Sequence, residues 1–131
     1  MPYPTTFYAP AQVVNEKTPS RYSCQLTLET GAKVPLASLT AVRLWVYELE
    51  SGSEAAVNSI TDVNILNTGR GVITETSTAT TLVITFASAD NAMVSASRAQ
   101  ERRRALIKWA WASSEAYHEF EWMVRNLSKV S

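Results

Sequence analysis

Ala105-Leu106-Ile107-Lys108-Trp109-Ala110-Trp111 and Tyr117-His118-Glu119-Phe120-Glu121-Trp122-Met123-Val124-Arg125-Asn126-Leu127, joined by Ala112–Ala116, decide the fold of this chain. Ile107, Trp109 and Trp111 share one parity, and Phe120, Trp122 and Val124 another. Leu106, Lys108, Glu119 and Glu121 fall on the opposite faces. Strict alternation puts apolar side chains on one face of a pleated strand and polar ones on the other. Two such runs around a short connection predict a long β-hairpin. A turn over Ala112–Glu115 sets Trp111 opposite Ala116 and Lys108 opposite Glu119. A register shifted by two sets Lys108 opposite Glu121. Either choice makes a cross-strand ion pair of roughly 0.2–1 kcal/mol. Glu119 and Glu121 therefore read as register and solubility devices rather than as a catalytic acid and base.

Similar alternation extends upstream. Arg21–Glu29 places Tyr22, Cys24, Leu26 and Leu28 inward and stops at Thr30-Gly31-Ala32. Ala41–Leu49 puts Val42, Leu44 and Val46 on one face and Arg43, Trp45 and Tyr47 on the other, which marks a central strand or one under a loop or a partner. Asn58–Asn67 is a connection with apolar anchors at Ile60, Val63, Ile65 and Leu66. Thr68-Gly69-Arg70-Gly71 is a turn, Val72–Glu75 a short strand, and Thr80–Phe86 a clean one with Leu82, Ile84 and Phe86 inward. The expected fold is all-β: a single antiparallel β-sandwich, immunoglobulin-like or jelly-roll-like, over residues 20–131. Ala87–Arg104 is rich in helix formers, so an α+β chain with a helix near residues 89–104 is the alternative. The β-forming row of Ile107, Trp109 and Trp111 favours an irregular turn that gives way to strand near Arg102.

Of the 5 prolines, Pro2, Pro4, Pro10 and Pro19 fall before the first long strand. Proline fixes φ and removes a donor, which rules out a helix or a central strand there. Residues 1–19 read as an extended N-terminal arm whose Tyr3, Phe7, Tyr8, Val13 and Val14 seek cover on this domain or on a neighbouring subunit.

The 131 residues fit one domain, and 46% hydrophobic with 18% charged content is globular. A domain of this size buries roughly two thirds of its unfolded surface and folds without metal or disulfide. Twelve basic residues balance twelve acidic ones, which argues against nucleic acid as a partner. Met1–Pro10 lacks the features of a signal peptide, and no stretch approaches the ~20 apolar residues of a membrane helix. Asn126-Leu127-Ser128 matches the glycosylation triplet and, with no secretion signal, reads as chance.

Chemistry is sparse. One histidine, His118, and one cysteine, Cys24, supply too few soft ligands for zinc. A Cys24–His118 dyad would need an orienting third group. There is no P-loop, nucleophile elbow or dinucleotide fingerprint, and no cofactor is expected. Arg98, Arg102, Arg103 and Arg104 form a cluster suited to a solvated surface, to carboxylates across a subunit interface, or to phosphates. Trp, Tyr and Arg together are interface hot-spot residues, so Arg43, Trp45 and Tyr47 form the best candidate contact face. With the arginine cluster and Tyr3, Phe7 and Tyr8 they make up the expected interface set.

The series Asp62-Val63-Asn64-Ile65-Leu66-Asn67, Leu82-Val83-Ile84-Thr85-Phe86, Ala89-Asp90-Asn91, Ala105–Trp111 and Phe120–Leu127 resembles the small β-sandwich virion structural proteins of tailed bacteriophages. The resemblance covers about Tyr22 to Ser128. Such proteins often carry glycine in the last hairpin turn, where this chain has Ser113-Ser114, and the proline-rich arm has no matching counterpart. The resemblance implies a non-enzymatic virion component that decorates or cements the capsid or sits at the neck, tail or baseplate. Its partners would be further copies of itself or other virion proteins, such as the major capsid protein or neck and tail proteins. A carbohydrate- or receptor-binding module is the second expectation, because exposed aromatics with Glu and Asn can stack on and bond to sugars. A small hydrolase is the third, with almost nothing in the sequence to support it.

Overall fold

The computed structural model describes residues 5–7, 13–50, 55–112 and 114–127. Along these the strands are β1 (Thr5–Phe7), β2 (Val13–Asn15), β3 (Ser20–Gln25), β4 (Leu39–Glu48), β5 (Ala55–Ala56), β6 (Val63–Asn64), β7 (Gly71–Glu75), β8 (Thr80–Phe86), β9 (Gln100–Trp111) and β10 (Ser114–Arg125). They form two sheets. One is ordered β1-β3-β8-β7; the other is β2-β10-β9-β4-β5, with β6 also on β4. The chain is an all-β sandwich, and its strand order is that of the immunoglobulin fold rather than the jelly roll. Among the described residues there is no α-helix. The segment open to a helical reading holds a 3₁₀ turn at Ser88–Asn91, then loop, and β9 starts at Gln100.

Two immunoglobulin hallmarks are replaced. A lone cysteine cannot make the usual bridge between the sheets, and the tryptophan of β4 points out rather than in. The core aromatics come instead from the terminal hairpin, which supplies Phe120 and Trp122, and from Tyr22 on β3 and Phe86 on β8. Tyr22 stacks on Phe120 at 3.6 Å between ring centroids. Phe86 meets Trp122 at 5.0 Å, and Phe120 lies 5.4 Å from Trp122. Val42, Leu44, Val46, Ile107 and Ile84 fill the space around them.

The hairpin register differs from both registers expected from the sequence. Ser114 faces Trp111, Tyr117 faces Lys108 and Glu121 faces Arg104. Ladder pairing continues to Arg125↔Gln100. The slip from the expected register is two residues toward a tighter turn. An even slip leaves every side chain on its own face, so apolar alternation cannot detect it. The tighter turn lengthens the ladder and gives Lys108 and Arg104 each a carboxylate on β10. Lys108 Nζ sits 3.0 Å from Glu115 Oε2, and Arg104 reaches Glu121 at 3.4 Å and Glu119 at 3.6 Å. Lys108 thus pairs with neither Glu119 nor Glu121.

β4 is central, as its two bulky faces suggest. Its free edge is closed by residues 55–66. Val57 N donates to Val46 O at 2.9 Å and Val46 N to Ile60 O at 3.0 Å. The tight reversal between them places both Asn58 (φ 51°) and Ser59 (φ 59°) in the left-handed region, where short polar residues are tolerated better than branched ones. Val63, expected as an apolar anchor, is exposed.

The proline-rich stretch supplies two short strands, and these are the parallel exceptions in an otherwise antiparallel sandwich. β1 runs parallel to β3 and β2 parallel to β10. Both lie at sheet edges, where proline's missing donor near the strand ends costs little. Val14 is buried, and Glu16 N donates to Arg125 O at 2.8 Å. This part of the arm packs on its own domain.

Candidate interaction face and buried ion network

The residues singled out from sequence separate into two groups. Arg43, Trp45 and Tyr47 on β4, and Arg102 and Arg104 on β9, share the outer face of the larger sheet. Trp45 faces Leu106 across the ladder and Tyr47 faces Arg104; both aromatics are half-buried. Arg43 reaches Asp62 Oδ1 at 3.4 Å. Arg102 Nε bonds Glu50 Oε1 at 2.9 Å, which holds the Glu50 carboxyl below the usual carboxylate range. Exposed Tyr117 continues the face on β10, with Lys108 Nζ 5.5 Å from its ring centre. Tyr3 and Tyr8 lie outside the described residues. Phe7 contributes its backbone to β1, and its side chain lies outside them too.

Arg103 points inward, which corrects its assignment to a docking surface, and Arg98 is half-buried with its guanidinium turned onto buried carboxylates. Arg103 is 0% exposed. It continues the inward row of Trp109, Ile107 and Ala105, and Glu101 precedes it on the same parity. Its Nη1 donates to Asp90 O at 3.0 Å, and its Nη2 to Ala92 O at 2.7 Å and Glu101 Oε1 at 2.8 Å. Arg98 Nη1 bridges two buried carboxylates, Glu48 at 2.9 Å and Glu101 at 3.0 Å. Glu101 also accepts from Val94 N at 2.9 Å and Ser95 N at 2.8 Å. Buried charges persist only when paired and bonded in this way. The network fastens the irregular loop after the 3₁₀ turn to the base of the hairpin.

A second cluster adjoins it. Asp90 accepts from Ala87 N at 2.7 Å, Asn58 Nδ2 at 2.7 Å and Arg70 Nη1 at 2.6 Å. Asn91 donates to Thr18 O at 2.8 Å and Ser20 Oγ at 3.0 Å, and accepts from Trp122 Nε1 at 3.1 Å. Asn126 is buried, with Nδ2 bonded to Ala96 O at 3.0 Å and Arg98 O at 2.9 Å, so its amide is not presented for glycosylation in this fold. Sequence reading missed Glu48, Glu101, Asp90 and Asn91. For Glu48 and Glu101 the signal was present, since Glu48 extends the row of Val42, Leu44 and Val46 by one step and Glu101 shares the parity of Ala105 and Ile107 with Arg103 between.

Burial pushes the Glu101 carboxyl up, but the Val94 and Ser95 amides and the Arg103 guanidinium together outweigh it, and its pKa is lowered. A lowered folded pKa adds stability that is complete above the unfolded value. That stability disappears as pH falls through the lowered one. Glu101→Gln is therefore expected to be less stable at neutral pH and to lose less stability on acidification, as followed by urea midpoints between pH 7 and pH 3.

Elsewhere, Nε2 of half-buried His118 bonds the Tyr22 hydroxyl rather than Cys24. Burial raises the Tyr22 pKa to about 12 and lowers that of His118. Burial also raises Cys24 to about 12, which keeps it a thiol rather than a nucleophilic thiolate at neutral pH. Among the described residues no group of three or more His, Cys, Asp or Glu side chains could hold a metal ion. No helix there is long and apolar enough to cross a membrane.

No protein-family model and no curated protein matches the chain. Among solved structures it is similar to a chimeric titin Z1Z2 functionalised with a KLER exogenous peptide from decorin, at TM-score 0.37 and 13% identity over 94% of this chain and 89% of that one. It is also similar to the M1 domain from titin, at TM-score 0.33 and 10% identity over 92% and 91%.

Proposed function

We propose that this chain is a non-enzymatic structural component of a tailed-phage virion. It bridges neighbouring subunits as a capsid decoration or cement protein, or as a head, neck or tail protein, after assembly in the bacterial cytoplasm. The observation that supports this best is the outer face of the larger sheet. Arg43, Trp45, Tyr47, Arg102 and Arg104 converge there from two adjacent strands, the residue types that dominate binding energy in protein interfaces. The sequence resemblance to phage sandwich proteins supplies the setting. The buried carboxylates support it too, because Asp90 and Glu101 bond loop amides and Glu48 and Glu101 bond guanidinium groups, which are structural uses.

The test is composition of purified particles from cells infected with a phage encoding the chain. Mass spectrometry is expected to find it at fixed copy number. Trp45→Ala is expected to lower that occupancy about 30-fold, as for the loss of a hot spot of about 2 kcal/mol, with the thermal midpoint nearly unchanged. Particles free of the chain overturn the reading. Glycan-array binding that Trp45→Ala abolishes replaces it with the sugar-binding one.

A further inference from the structure

The charges on the outer face are sorted by strand. Cations stand on β4 and β9: Arg43, Arg102, Arg104 and Lys108. Anions stand on β10: Glu115, Glu119 and Glu121. At the rim, Glu50 and Arg125 depart from this. Across the hairpin Arg104 lies 3.4 Å from Glu121 and 3.6 Å from Glu119. Glu119 remains 60% exposed.

We infer that this face docks against the same face of a second copy, about a two-fold axis parallel to the strands between β9 and β10. Rotation by half a turn about such an axis exchanges left and right but keeps height along the strands. It lays the acidic β10 of each copy over the basic β9 of the other. The ladder register then fixes who meets whom. Glu121 and Arg104 share one height, as do Tyr117 and Lys108. Each arginine gains a partner carboxylate and each Tyr117 ring a partner ammonium. The same rotation carries β4 over the partner's β2, where Val13 is 53% exposed and lies two residues along the ladder from the height of Tyr47, so Tyr47 gains an apolar neighbour. The flat area of β2, β10, β9 and β4 is on the order of 600 Å², and side-chain relief brings it near the roughly 800 Å² per partner of a standard interface. A two-fold contact needs one self-complementary patch, and this face has that pattern.

The inference rests on reading this face as the docking surface and names the neighbour it bridges. The full chain is expected to sediment as a dimer at about 100 μM, above the micromolar Kd of a modest interface of this size. The Kd should weaken about tenfold or more between low and high salt, because attraction between the basic β9 and the acidic β10 of opposing copies is screened by ions. Arg104→Glu alone, and Glu119→Arg with Glu121→Arg, should each give folded monomers by circular dichroism. Mixed one to one, those two variants should dimerise again, because each restores the opposite charge for the other. A wild-type monomer at that concentration overturns the inference, and so does a mixture that stays monomeric. A monomer that still co-purifies with phage particles overturns the dimer and leaves the virion reading standing. A dimer absent from the particles does the reverse.

Discussion

Arg103→Leu is expected to destabilise the fold by about 3–5 kcal/mol. The guanidinium has no exposed surface, so solvent cannot replace what is lost. Leucine leaves Glu101 with Arg98 as its remaining cation and removes the donors to Asp90 O and Ala92 O. A buried carboxylate that loses one of its two cations and two orphaned carbonyls each cost more than the net worth of the bonds they made. Arg102, one position earlier, is the control. Its side chain is 54% exposed, and Arg102→Leu should change stability by under about 1 kcal/mol. Urea unfolding of the two variants separates the readings. Equal, small effects would show that Arg103 is solvated and the network absent. The double variant Glu101→Leu with Arg103→Leu should recover part of the loss, with a coupling of about 1–3 kcal/mol, because removing both charges leaves no unpaired ion.

This contrast between neighbours shows where the sequence was legible. Alternation fixed the parity of every long strand, and the inward rows of β4, β8, β9 and β10 follow it. It could not fix register, because slips of two residues bury the same faces; only the length of the turn and the outer charges distinguish them. The arginine cluster was harder for a different reason. Four cations in a short run suggest a surface, because an isolated buried charge is costly. Parity alone would have put Glu101 and Arg103 inside together, two residues apart on one face and of opposite sign. What the sequence could not show is the loop that needs them. Residues after the 3₁₀ turn form no ladder, and their amides and carbonyls are bonded by these two side chains instead. Asp90 and Asn91 carry no periodic signal at all. Their roles come from chain segments distant in sequence, Asn58, Arg70, Ser20 and Trp122, which only the folded topology brings together.

Trp122→Ala should cost about 3–5 kcal/mol, a large share of the roughly 5–15 kcal/mol that holds a domain folded. Trp122 is 1% exposed and lies between Phe86 and Phe120. Its loss opens a cavity where the two sheets meet, and the flanking rings belong to different sheets, so neither can collapse into the space without breaking its own ladder. The indole N–H also bonds Asn91 Oδ1, and that acceptor is buried. Trp122→Phe keeps much of the ring packing and loses the donor, so it should fall between, at about 1–3 kcal/mol. Trp45→Ala, on the outer face, should stay under about 1 kcal/mol as a near-surface change. Thermal unfolding should order the three as Trp45→Ala, Trp122→Phe and Trp122→Ala, the last melting about 10–20 °C below the parent. If Trp45→Ala were instead the most damaging, the aromatic core would belong to β4, as in the usual immunoglobulin domain, and not to the terminal hairpin.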